Sequence, residues 1–73
     1  MIRQKGELKP MLIRQIEKFL RETGMAGTRF GRLAAQDPRL VEDLRNGRTP
    51  RARTEARVAS FMTRYREETA RAR

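Results

Sequence analysis

The sequence predicts an all-α domain of four to five helices. Apolar residues recur at three- and four-residue spacing through most of the chain, and no stretch alternates apolar with polar residues as a half-buried strand would. Size is the third indication. The 73 residues make one small domain, and with neither cysteine nor histidine the chain has no disulfides and none of the usual zinc ligands. Its stability has to come from amphipathic helices closing over a modest core.

Taken in order, residues 1–9 hold Arg3, Lys5 and Lys9 around Gly6 with little periodicity. They read as a flexible basic arm, of the kind that lies along phosphates or in a minor groove, or else as a frayed terminus. A first helix is expected over residues 10–23. Leu12, Ile16, Phe19, Leu20 and Thr23 form its stripe, with Ile13 at the margin. Arg14, Gln15, Lys18, Arg21 and Glu22 take the other face, and Glu17 stands four residues ahead of Arg21 in the favourable orientation. Gly24 ends the helix.

After a short connector, a second helix is expected over 28–36, with Thr28 as its N-cap and Phe30, Leu33 and Ala34 at core spacing. Gly31 inside it costs about 1 kcal/mol of helix propensity relative to alanine. A residue without a side chain at that point suggests close backbone approach by another helix, in a crowded neighbourhood shared with Ala34 and Ala35. Asp37-Pro38 then starts a third helix. Aspartate accepts from free N–H groups, and proline suits the first helical position, where its missing N–H is not needed. Leu40, Val41 and Leu44 make the buried face, and Gly47 closes the helix.

Arg45, Arg48, Arg51 and Arg53 follow closely on one another with no acid among them. A last helix begins between residues 50 and 55, with Thr49 and Thr54 both available as caps. Its stripe is Val58, Phe61, Met62 and Tyr65, with Ala59 alongside. The organisation expected is a basic arm over 1–9, a domain over 10–66 and a frayed basic tail over 67–73.

Net charge is +9, carried by 15 arginines and only 3 lysines. Charge of this size points to a polyanionic partner, and arginine favours planar, bidentate contact with phosphate or guanine edges. A genome that favours arginine codons would also raise the count, although it would not gather the arginines as they are gathered here. Catalysis has little to work with: without histidine or cysteine a general base would have to be a carboxylate, and the adjacent acids Glu42-Asp43 point in different directions on a helix. No phosphate-cradling glycine loop, cofactor site or small-molecule site is evident. No apolar run approaches the ~20 residues that span a bilayer, and no signal-peptide pattern opens the chain, so a cytoplasmic, nucleoid-associated protein is expected.

Two compact helices meeting at a sharp corner, the second short and capped, are what a helix-turn-helix looks like in sequence, here over 28–46. In that motif the second helix enters the major groove of double-stranded DNA. With Leu40, Val41 and Leu44 turned inward, Arg39, Glu42, Asp43, Arg45 and Asn46 are the candidates for base contact: arginine on guanine, asparagine on adenine, carboxylates on cytosine. Arg48, Arg51 and Arg53, in the segment 48–53, and Arg29 and Arg32 on the preceding helix are the phosphate candidates. Glu42 and Asp43 weigh against this reading, since carboxylates repel phosphates unless they sit over the groove centre or form internal pairs, Asp43 with Arg39 and Glu42 with Arg45.

The same residues carry a family resemblance. Phe30-Gly31-Arg32-Leu33-Ala34, Asp37-Pro38, the run from Leu40 to Arg48, then Pro50, Thr54, Arg57-Val58 and Phe61-Met62 resemble the core of short, arginine-rich helix-turn-helix proteins of alphaproteobacteria and their phages. More widely, the arrangement resembles the lambda-repressor-like superfamily. It covers residues 28–62 well. The resemblance implies a transcriptional regulator binding operator DNA as a homodimer, with Leu33-Ala34 seating the first helix of the motif on the second and Leu44 anchoring the recognition helix. Two other readings fit the charge: a helical adaptor engaging an acidic protein surface, and a nonspecific architectural DNA-binding protein. RNA is disfavoured, because Tyr65 and the three phenylalanines are expected in the core and leave few stacking platforms.

Overall fold

A computed structural model describes the backbone over residues 4–72 and the side chains over residues 12–72. Among these residues there are four helices and no strand: α1 (Gln4–Thr23), α2 (Gly27–Ala35), α3 (Leu40–Arg45) and α4 (Ala52–Ala72). The apolar stripes converge on one another. Leu12, Ile16 and Phe19 of α1, Phe30 and Ala34 of α2, Leu40, Val41 and Leu44 of α3, and Val58 and Met62 of α4 form a single buried cluster, with no buried polar side chain among them. Each large member contributes about 1.5–3 kcal/mol by leaving water.

Phe19 holds the centre. Its ring centroid lies 5.5 Å from that of Phe30, 6.0 Å from that of Phe61 and 5.4 Å from that of Tyr65, in tilted or edge-on arrangements. One aromatic ring thus ties α1 to both α2 and α4. Leu20, Ile13, Phe61 and Tyr65 close the margins of the core. Gly24 ends α1 in the left-handed region at φ +73°, and its N–H donates to the Leu20 carbonyl at 2.8 Å.

The corner between α2 and α3 follows from two residues. Gln36 takes the left-handed conformation (φ 57°, ψ 35°), its N–H donating to the Arg32 carbonyl, and the Asp37 N–H turns back to the Gly31 carbonyl at 3.0 Å. The chain returns so closely that a Cβ on Gly31 would overlap the Asp37 carbonyl oxygen and stand 3.3 Å from the Leu40 Cβ. The close approach at Gly31 is therefore made by the corner itself and not, as expected, by the backbone of another helix. Asp37 Oδ1 then accepts the Arg39 N–H at 3.1 Å, and the Leu40 N–H donates to the Asp37 carbonyl at 3.0 Å, which starts α3.

Several boundaries differ from the sequence expectation. α1 begins at Gln4, so the arm expected over 1–9 is helical from Gln4 onward, while residues 1–3 lie outside the described residues. Pro10 is consequently inside α1, where it forgoes one rung of the hydrogen-bond ladder. α2 starts a residue early: Ala26 is its N-cap, without a side-chain bond, and Thr28 is already helical. Regular helix in α3 begins at Leu40 with Arg39 as its N-cap and no side-chain capping bond; the Asp37 carboxylate instead closes the turn ahead of the helix, and Pro38 lies in that turn rather than at the first helical position. At the start of α4 the first rung runs from the Glu55 N–H to the Arg51 carbonyl, so neither Thr49 nor Thr54 is its cap. The tail expected to fray over 67–73 remains helical through Ala72, with Thr69 Oγ1 donating to the Tyr65 carbonyl at 2.6 Å.

Two side chains also differ. Leu33, placed at core spacing, is 51% exposed, because α2 turns Phe30 and Ala34 inward and leaves Leu33 on its flank. Ala59 is exposed rather than alongside the core.

Candidate functional site

α3 packs against both α2 and α1 and exposes its remaining face. With Leu40, Val41 and Leu44 buried, the outward strip consists of Arg39, Glu42 and Asn46, all exposed, about 240° round the helix from Leu40 at 100° per residue. Arg45 and Asp43 lie on opposite shoulders of that strip, and both are engaged by other parts of the chain.

Arg45 reaches α1. Its Nε donates to Glu17 Oε2 at 2.7 Å and its Nη2 to Glu17 Oε1 at 2.8 Å, a two-pronged pair. The Arg45 hydrogen bond holds the Glu17 carboxyl below its ordinary value, and Glu17 in turn raises Arg45. On the other shoulder, Arg48 Nη1 donates to Asp43 Oδ2 and Asp37 Oδ2, each at 3.0 Å, while the Arg48 N–H donates to the Asp43 carbonyl at 2.9 Å. The Asp37 carboxyl is held below its ordinary value, first by Arg48 and then by the Arg39 N–H. This clasp spans α3 from the corner that precedes it to the turn that follows it.

The internal pairs expected on α3 therefore do not form: Asp43 pairs with Arg48 rather than Arg39, and Arg45 with Glu17 rather than Glu42. Glu17 likewise pairs with Arg45 rather than with Arg21 one turn on. Gly47, at φ +100°, lets the chain turn sharply enough after α3 for Arg48 to fold back.

Of the five base-contact candidates, Arg39, Glu42 and Asn46 share the open strip. Arg45 and Asp43 border it with their charges compensated. Of the five phosphate candidates, Arg48 is committed to its clasp. Arg29, Arg32, Arg51 and Arg53 are exposed, and among the described residues none has a carboxylate within 4.0 Å. Arg29 and Arg32 stand on α2; Arg51 and Arg53 stand at the entry to α4. The stretch 28–53 carries a formal net charge of +4, which the two ion-paired arginines do not alter.

Sequence reasoning did not find Glu17, which lies 28 residues from its partner in the chain. A half-buried carboxylate on the border of a core stripe is its only local signal. A second surface also went unexpected: Leu33 sits with Ala34, Ala56 and Phe61 in a shallow groove between α2 and α4, rimmed by Arg57 and Arg64.

Among the described residues no group of acids is placed to hold a metal ion, and no helix is long and apolar enough to cross a membrane. Comparison with protein-family models, curated proteins and solved structures returns no match.

Proposed function

We propose that this chain is a sequence-specific DNA-binding transcriptional regulator of the helix-turn-helix, lambda-repressor-like type, acting on cytoplasmic, nucleoid DNA. In this reading α2, the Asp37 corner and α3 are the motif, and α3 lies in the major groove. The observation that carries it is the two-faced character of α3: one side wholly buried, the other an open strip of Arg39, Glu42 and Asn46 whose donors and acceptors suit guanine, cytosine and adenine edges. Arg45 and Arg48 do a different job. Their ion pairs brace a helix of six residues that is too short to hold its own shape. Arg29, Arg32, Arg51 and Arg53 supply phosphate contacts that fix position without reading sequence.

Selection of binding sites from random duplexes tests this directly. The expected result is an enriched site preferred over random DNA by at least ~10³-fold, with single base changes costing ~1–3 kcal/mol. A palindromic site would report two copies bound together. Asn46→Ala should relax preference at one base pair, while Arg51→Ala with Arg53→Ala should weaken all duplexes alike and make the salt dependence shallower by about 2 units of slope. Equal affinity for every duplex would replace the regulator with an architectural protein.

One observation favours a different partner for a different face. The Leu33 groove joins an exposed apolar side chain to two arginines, which suits an acidic protein segment. If no duplex is bound, the adaptor reading takes precedence and Leu33→Ser should abolish its complex.

A further inference from the structure

The cations of α1 have no part in the reading above. Arg14, Lys18 and Arg21 fall within about 60° of one another at 100° per residue, a row about 10 Å long at the helical rise. They line one groove together with Ile13, Glu17, Leu44 and Arg45, so the row borders the shoulder of α3 that carries Arg45.

α1 also bears two carboxylates in its described part beyond residue 11, Glu17 and Glu22, which would ordinarily cancel this row. Arginines from other helices take both. Glu17 is held by Arg45 of α3 at 2.7 Å, and Glu22 by Arg66 of α4 at 3.1 Å, with Lys18 reaching Glu22 only at 4.0 Å. Arg14 and Arg21 have no ion-pair partner among the described residues. Arg14 and Arg21 thus keep their positive charge unpaired, with Lys18 only loosely met by Glu22, beside the helix whose outward strip is open.

We propose that Arg14, Lys18 and Arg21 form a second phosphate-binding row, gripping the DNA strand on the opposite side of the major groove from the one met by Arg51 and Arg53. This rests on α3 entering the groove. Arg45 then acts as a positioning residue. By neutralising Glu17 it removes the carboxylate that would repel a phosphate between the row and α3, and it sets the spacing of α1 from α3. Charge complementarity selects the occupant: a major groove is about 12 Å wide and bordered by a line of phosphates on each side, and the α1 row lies along the Arg45 shoulder of α3 while Arg51 and Arg53 follow Arg48, which clasps the Asp43 shoulder.

The experiment compares two full-length variants that lose the same charge. One carries Arg14→Gln, Lys18→Gln and Arg21→Gln; the other carries Arg57→Gln, Arg64→Gln and Arg71→Gln on α4. Duplex affinity is measured against salt, with circular dichroism confirming that both remain helical. Each phosphate contact contributes about 0.9 to the slope of log K against log salt, so the α1 variant should be shallower by about 2–3 units and weaker by ~10-fold or more, on selected and random duplexes alike. The α4 variant should change the slope by less than about 1. Glu17→Gln, which removes the carboxylate and releases Arg45, should tighten random duplexes while narrowing the preference for the selected one. Equal slope changes in the two triple variants would overturn the proposal, reducing the row to a share of net charge, and so would an unchanged slope in the α1 variant. A wild-type chain that binds no duplex overturns instead the reading on which this one rests.

Discussion

Gly31→Ala inverts the usual effect of the substitution, and its cost follows from the corner. In an ordinary helix interior this change stabilises by up to about 1 kcal/mol. Here the added methyl would occupy the space of the Asp37 carbonyl oxygen. That oxygen accepts the Leu40 N–H at 3.0 Å, and the Gly31 carbonyl accepts the Asp37 N–H at the same distance. Moving Asp37 aside loosens both bonds, each worth about 1 kcal/mol net, and shifts the fully buried Leu40, for which overpacking costs about 1–3 kcal/mol. After the propensity gain, a net loss of about 2–4 kcal/mol remains. A chain of 73 residues has about 4–11 kcal/mol in total, so the variant should melt about 8–30 °C lower. Urea denaturation followed by helical circular dichroism reads the loss as a fall in midpoint at constant slope. Gly24→Ala is the control. Its Cβ would meet nothing, but φ +73° costs a side chain about 1–2 kcal/mol, so it should fall between wild type and Gly31→Ala. If Gly31→Ala proves as stable as wild type, the corner does not approach α2 as described, and the placement of α3 fails with it.

Two further outcomes follow from the same packing and charges. Phe19→Ala, which empties the centre of the aromatic cluster, should cost about 3–5 kcal/mol and leave a barely folded chain, whereas Leu33→Ser on the exposed flank of α2 should stay within about 0.5 kcal/mol of wild type in the same denaturation series. Asp37 and Glu17 have folded pKa values below their unfolded ones, so their pairs stabilise the fold above about pH 4 and lose that contribution as pH falls through the lower, folded values. Arg48→Gln with Arg45→Gln should therefore flatten the acid limb of a stability–pH curve. An acid limb as steep as that of wild type would show that these pairs are not coupled to folding.

What the sequence made legible is what period and local chemistry encode. Leu40, Val41 and Leu44 repeat at helical spacing and are buried together; Asp37 marks the corner, although its carboxylate closes the turn before α3 rather than capping the helix; Gly31 stands where a propensity penalty needs a reason, and the corner supplies it. Leu33 escaped because periodicity assigns a stripe but not its width: the Phe30–Ala34 line satisfies α4, and Leu33 lies one step outside it. The bounds of α1 and α4 escaped because helix ends reflect propensity summed over polar turns, in which lysine, glutamate and arginine are good formers without a stripe to announce them. The ion pairs escaped for a different reason. Arg45 has Glu42 three residues away, and only the crossing of α1 over α3 makes Glu17 the better partner.

That crossing bears on how a basic sequence should be read. A count of arginines treats each as equally free to meet a polyanion, yet Arg45, Arg48 and Arg66 are each bonded to carboxylates of another segment. Their exposure makes each pair worth little by itself, about 0–1 kcal/mol. The importance of these pairs is positional. Arg48 joins the two ends of a six-residue helix, and Arg45 and Arg66 remove from α1 the two acids that would shield its cations. Charge is thereby sorted rather than diminished: Glu17, Glu22, Asp37 and Asp43 stand beside arginines that brace the fold, and Arg14, Arg21, Arg29, Arg32, Arg39, Arg51 and Arg53 keep their fields facing water. Removing a bracing arginine and removing a free one should then differ in kind. The first should alter stability and the orientation of α3, and with it discrimination between duplexes. The second should alter the salt slope and leave discrimination unchanged.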